Sequence, residues 1–178
     1  MVGILTKTSK ETMRNDEIKV LNIMEQYAKE RISELGKRCG ISPQKVGRII
    51  KNLEKKKIIW GYSAITDGTL RDIKHYVLLV KRNAVPFDAS FKKELAFEKI
   101  DNILSSVTKI ENMFFTHGSF DVVVTFYAPN LIEAKDFIQK IYKRVGKYFG
   151  EYLLLETLVP IRKNGLKNPQ NKELVEYL

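Results

Sequence analysis

Several residue types on which enzyme and metal chemistry depend are scarce in this chain of 178 residues, which has one cysteine, two histidines and one tryptophan. A lone Cys39 cannot form an internal disulfide, which fits a reducing compartment and points to the cytoplasm. Two histidines and one cysteine form no cluster with metal-ligand spacing. Neither a nucleophile–base pair nor a Gly-rich phosphate loop stands out, so no catalysis, metal or cofactor is expected. No apolar run approaches the roughly 18 residues of a membrane span. The opening MVGILTKTSKETMRND lacks the long apolar stretch of a secretory signal and reads as a short arm over residues 1–14, open to disorder.

Cations are plentiful and unevenly placed. Lys and Arg number 31 against 21 Asp and Glu. Residues 31–57 hold nine cations and two acids, whereas residues 68–178 hold seventeen and thirteen. A basic excess confined to one short segment suits a polyanionic partner, although a lysine-rich solvated surface would give the same totals.

That segment, with what precedes it, predicts three short helices over residues 15–57. Ile18, Leu21, Met24 and Ala28 recur at near-helical spacing from Asp16. Ser33 is a natural N-cap for a short second helix with Leu35 and Cys39 on one face, and Gly40 supplies the left-handed residue that ends it. In ISPQKVGRIIKNLEKKK (41–57), Ser42 caps a third helix and Pro43 takes its first position, where a missing N–H costs nothing. Val46, Ile49, Ile50 and Leu53 then form the inward seam. Gln44, Lys45, Arg48, Lys51 and Asn52 remain outside, with Gly47 among them. A short helix, a Gly turn and a capped second helix with an outward row of Gln, Lys and Arg make a helix-turn-helix, whose second helix fits the major groove of double-stranded DNA. Gln pairs with adenine and Arg with guanine, and Lys more often meets phosphate. Lys37, Arg38 and Lys55 to Lys57 are expected phosphate contacts. A helical hairpin with a solvated basic face is the plain alternative.

IIWGYSAIT (58–66) is β-branched and aromatic and reads as a strand leaving this unit, within a linker over 58–74. Trp60 suits packing or an interface anchor better than base stacking. From residue 75 the pattern changes. Strands are predicted over 75–82, 109–118, 119–129 and 151–161. Helices are predicted over 91–106, with Ala96, Ile100, Ile103 and Val107 in register, and from an Asn130 cap with Glu133 as its capping-box partner to Gly146. The order β-α-β-β-α-β over 75–162 is the ferredoxin-like unit, and the fold class is α+β. Helices on one face of the sheet leave the other apolar and bare, which suggests a homodimer through the sheets. Residues 163–178 read as a polar tail with one last helical turn.

The chain resembles the Lrp/AsnC, or feast/famine, family of transcription regulators. The carrying residues are Asp16-Glu-Ile-Lys-Val-Leu, Arg31-Ile-Ser-Glu-Leu, Gly40-Ile-Ser-Pro-Gln-Lys-Val-Gly-Arg-Ile-Ile-Lys-Asn-Leu-Glu, Ile58-Ile-Trp-Gly-Tyr-Ser-Ala, His117-Gly-Ser-Phe-Asp-Val and Glu156-Thr157. The likeness spans about residues 15–162. It implies a winged helix-turn-helix joined by a hinge strand to a βαββαβ ligand-sensing (RAM) domain, with dimers assembling into tetramers or octameric rings. It places Ser42, Gln44, Lys45, Arg48 and Lys51 toward DNA. It also implies an amino-acid effector at the turn Thr116, His117, Gly118, Phe120 and Asp121, with Thr157 on the last strand. His117 stands where many members have Thr. Asp121 and the backbone around Gly118 would supply an acceptor for an ammonium and donors for a carboxylate. Two other functions suit the same architecture: an enzyme resembling siroheme decarboxylases, which share a similar two-part fold, and an architectural protein that compacts DNA without sequence choice.

Overall fold

A computed structural model describes residues 2–66, 68–96 and 109–170. The chain divides into two compact units, Met1–Ile65 with Ile161–Glu173, and Thr66–Pro160 with Leu174–Leu178.

The first unit opens with three helices, α1 (Val2–Tyr27), α2 (Ile32–Cys39) and α3 (Pro43–Lys55). Helix α1 begins at Val2, so the expected N-terminal arm is helical instead. No proline interrupts residues 2–27, and Lys, Glu, Met and Arg there are good helix formers. Its buried face is rotated from the predicted stripe. Val20 and Met24 are buried with Leu21, Ile23 and Tyr27 packed beside them, while Ile18 and Ala28 are exposed. Helix α2 is preceded by Arg31 in extended conformation, so Ser33 lies inside the first turn rather than capping it. Gly40 closes α2 at φ 65°, in the left-handed region, as expected. The glycine that close packing requires is Gly36, where a Cβ would stand 3.0 Å from the Ile41 carbonyl oxygen.

Helix α3 starts as its sequence dictates. Ser42 is extended, its Oγ accepts from the Lys45 N–H at 3.3 Å, and Pro43 takes the first turn. Val46, Ile49 and Leu53 are buried and Ile50 half-buried, joining Leu35, Cys39, Val20 and Met24 in one core. Each such aliphatic side chain contributes about 1.5–3 kcal/mol. Burial pushes the Cys39 thiol pKa up, which makes it an inert core residue.

Residues 58–66 form no strand. The composition favours extension, but no strand among the described residues pairs with this segment, and a ladder needs a partner. Trp60 is 95 % exposed.

The second unit contains β1 (Lys74–Arg82), α4 (Ala89–Ala96), β2 (Lys109–Phe115), β3 (Val122–Ala128), α5 (Leu131–Val145) and β4 (Phe149–Glu156). The antiparallel sheet runs β2-β3-β1-β4, the ferredoxin-like arrangement. The fourth strand lies earlier than predicted, at 149–156 instead of 151–161. Helix α4 starts at Ala89, two residues before its predicted start, because Asp88 Oδ1 accepts the Phe91 N–H at 2.8 Å. Its expected continuation through Ile100, Ile103 and Val107 lies outside the described residues. Helix α5 is capped as expected, the Glu133 N–H donating to Asn130 Oδ1 at 3.0 Å.

Tyr76, Leu78 and Val80 of β1, Val122, Val124 and Phe126 of β3, and Phe149 of β4 bury one sheet face against Phe91 of α4 and Ala134, Phe137 and Ile138 of α5. Asp88 locks this corner. Its carboxylate accepts from the Tyr148 hydroxyl at 2.5 Å and from Lys147 Nζ at 3.0 Å, and these bonds hold its pKa well below the usual carboxylate range. The opposite face bears the row Phe114–Val123–Leu79–Leu153, set by cross-strand pairing. Phe114 is 52 % exposed and Leu153 50 %.

The expected polar tail also departs from its reading. Arg162–Lys163 (β5) and Leu166–Lys167 (β6) pair as a two-stranded antiparallel ribbon around Asn164-Gly165. It is grouped with the helical unit, so the expected boundary between 162 and 163 cuts through it.

Candidate nucleic-acid interface and effector turn

Because Val46, Ile49 and Leu53 point inward, two distinct strips of polar residues remain on α3. One leans on α1. There Lys45 Nζ lies 2.5 Å from Asp16 Oδ2, Asn52 Nδ2 donates to Glu17 Oε1 at 3.2 Å, and Lys56 Nζ donates to the same oxygen at 3.0 Å. Another strip carries Gln44, Arg48, Lys51 and Lys55, all exposed. These recur at i, i+4, i+7 and i+11, one above another on the helix surface. Among the described residues, no acid pairs with Arg48, Lys51 or Lys55.

The predicted cations therefore divide. Lys37 pairs with Glu34 at 2.9 Å. Arg38 donates through both Nε and Nη2 to Glu30 at 2.7 Å, with its guanidinium 3.9 Å above the Tyr27 ring. The hydrogen bonds lower the Glu30 pKa and raise that of Arg38. Ser42 is occupied as a cap. Gln44, Arg48 and Lys51 alone among the seven expected DNA residues face outward without a protein partner among the described residues. An outward Gln and Arg on the first two turns of such a helix can address base edges, and Lys51 and Lys55 phosphates.

The effector residues fall at two ends of one strand. Thr116 donates its N–H to the Asp121 carbonyl at 2.8 Å and its hydroxyl to the Phe120 carbonyl at 2.6 Å, closing the turn after β2. Asp121 donates its own N–H to the Val80 carbonyl, and its Oδ2 accepts the Arg82 N–H at 2.7 Å. The carboxylate thus ties β3 to β1, leaving part of its acceptor capacity for a ligand. Gly118, at φ 154°, stands in open space, and His117 and Phe120 flank it on the turn. Thr157 sits instead beside His75, to whose carbonyl its N–H donates at 2.9 Å. Val80 and His75 are five residues apart on β1, about 16 Å. One chain does not bring Thr157 to the turn.

The sheet also holds a polar network that the sequence did not reveal. His75 Nδ1 is 2.6 Å from Thr157 Oγ1, and His75 Nε2 is 3.0 Å from Glu111 Oε2. Glu111 accepts from the Thr125 hydroxyl at 3.2 Å and the Tyr127 hydroxyl at 3.1 Å. A carboxylate only accepts, so Nε2 carries a proton, and in the neutral ring Nδ1 accepts from Thr157. This network is assembled by strand register from residues far apart in sequence.

Residues 17–59 match the family described as winged helix-turn-helix DNA-binding. The leucine-responsive regulatory protein of Haemophilus influenzae is 26% identical over 117 residues, 66% of this chain and 67% of that one. The chain is thus similar to regulators of the Lrp/AsnC family. Solved structures agree on the fold. An AsnC family transcriptional regulator from Agrobacterium tumefaciens superposes with a TM-score of 0.62 at 16% identity, over 88% of this chain and 97% of that one. A transcriptional regulator from Neisseria meningitidis, in complex with L-Met, gives 0.63 at 16% identity, over 89% and 97%. The matched helical segment ends with α3 and the first residues of the linker. Among its described residues, no helix is long and apolar enough to cross a membrane.

Proposed function

We propose that the chain is a cytoplasmic, sequence-specific transcriptional regulator that reads duplex DNA with α3 and works as a homodimer or larger ring. One observation carries this reading. The α3 seam is buried, and Gln44, Arg48, Lys51 and Lys55 stand outward with no acid among the described residues set against their cations. Gln44 and Arg48 supply base readout, and Lys51 and Lys55 supply phosphate contacts. Lys45 ties α3 to α1 through Asp16, Arg38 ties α2 to the preceding loop through Glu30, and Lys37 pairs with Glu34 within α2. Dimerisation uses the apolar sheet face around Phe114, Leu79 and Leu153. An amino acid binds at the Thr116–Asp121 turn, with Thr157 contributed from a second copy, and shifts assembly through different affinities for the two assemblies. The L-Met complex of the Neisseria relative supports an amino-acid ligand.

The test is selection of bound genomic fragments with and without pooled amino acids, followed by titration of a selected duplex over a salt series. Binding that falls steeply with salt and weakens on scrambled competitor is expected. Equal affinity for scrambled duplex would favour the DNA-compacting alternative.

A further inference from the structure

The helical unit lacks a ribbon where a winged helix would carry one, since residues 58–66 form no strand. The two-stranded element of that unit comes from the other end of the chain. Asn164 at φ 45° and Gly165 at φ 81° give the two-residue loop the backbone of a type I′ turn. The Arg162 guanidinium donates to the Gly165 carbonyl at 2.9 Å, and the Asn168 N–H to the Ile161 carbonyl at 3.0 Å, so the ribbon is pinned at both ends.

Its charge is the informative part. Residues 161–168, IRKNGLKN, contain three cations and no acid. Arg162 and Lys167 are direct cross-strand partners and both are exposed. Like charges facing each other across a strand pair destabilise it. A ribbon that keeps such a pair, with no acid beside it in its own sequence, suits a surface completed by an external anion. Meanwhile several cations of the three helices are already engaged by Asp16, Glu17, Glu30 and Glu34.

We infer that the β5–β6 ribbon is a second DNA-contacting element, a wing delivered from the C-terminal side of the sheet domain, in which Arg162 and Lys167 grip backbone phosphate of the duplex that α3 reads. The inference rests on the DNA-binding reading above. It adds affinity without sequence choice, because phosphate carries no base identity.

The decisive variant is Lys167→Glu. It converts a like-charge pair into an ion pair with Arg162, so the free protein keeps or gains thermal stability. DNA affinity should nevertheless fall about tenfold or more, equally on a selected duplex and a scrambled one of about three helical turns. The slope of log affinity against log salt should flatten by about 1–2. Lys167→Gln should flatten it by about 1 without adding a negative charge. Unchanged affinity and slope in both variants would overturn the inference. So would affinity lost only in step with a lowered melting temperature, because the ribbon would then be a structural clip. If the unaltered chain binds neither duplex, the DNA-binding reading itself fails; if it binds and Arg48→Ala alone weakens it, only the wing fails.

Discussion

Two surfaces left over after folding differ in kind. On α3 the exposed strip is cationic, and the neighbouring Lys37, Arg38, Lys45 and Lys56 are paired off by Glu34, Glu30, Asp16 and Glu17. On the sheet the exposed face is aliphatic and aromatic, interrupted by the bonded network of His75, Glu111, Thr125 and Tyr127. The first surface has free charge and little apolar area, so it suits a hydrated polyanion. The second has apolar area and satisfied polar groups, so it suits a copy of itself. The contrast teaches that a row of cations is informative only after internal pairing has been subtracted. Seven residues of one helix pair look alike as candidates, and three stand clear of partners.

That contrast can be broken at its base first. Leu53→Ala should cost about 2–5 kcal/mol in the small helical core and abolish DNA binding, while near-UV circular dichroism from the sheet unit persists. Loss of both signals together would mean the units do not melt separately. Next, Leu153→Glu puts a charge at the centre of the apolar row. Dimer dissociation should rise at least about thirtyfold in sedimentation equilibrium, as for a hot-spot loss of about 2 kcal/mol, with the chain still folded. A smaller and sharper test separates free from paired cations. Arg48→Ala should weaken specific binding by about 1–3 kcal/mol. Lys51→Ala should reduce the salt slope by about 1, while Lys37→Ala leaves it nearly unchanged. Equal slopes for Lys37 and Lys51 variants would show that internal pairing does not decide which cations reach DNA. The smallest effect concerns Asp88. Its folded carboxylate pKa is depressed by Tyr148, Phe91 and Lys147, so its stabilising contribution is present above about pH 4 and lost as pH falls further. Asp88→Asn should lower the melting temperature at neutral pH and show less loss between neutral and acid pH than the unaltered chain.

Legibility followed locality. Helix α3 was readable because its cap, its Pro and its seam lie within thirteen residues and depend on nothing distant. The βαββαβ order was readable from alternation and the Asn130 cap. The pairs Lys45–Asp16 and Lys56–Glu17 were not, because each joins residues about thirty or more positions apart whose meeting depends on how three helices pack. The rotated face of α1 was missed for the same reason: Val20 and Ile18 are equally apolar, and only packing chooses between them. The ribbon did leave a trace in Asn164-Gly165, the commonest short hairpin signal. Strands of two residues offer no alternation to support it. The separation of Thr157 from the 116–121 turn needed strand register, which no spacing supplies.

The grouping of Ile161–Glu173 with Met1–Ile65 makes the helical unit discontinuous, with the sheet inserted between its parts. During synthesis α1 to α3 emerge first, yet the ribbon arrives only after the entire sheet has left the ribosome. A product cut short after Pro160 therefore retains α3 and loses every ribbon cation, which on the proposed reading would uncouple recognition of a site from the grip that holds it.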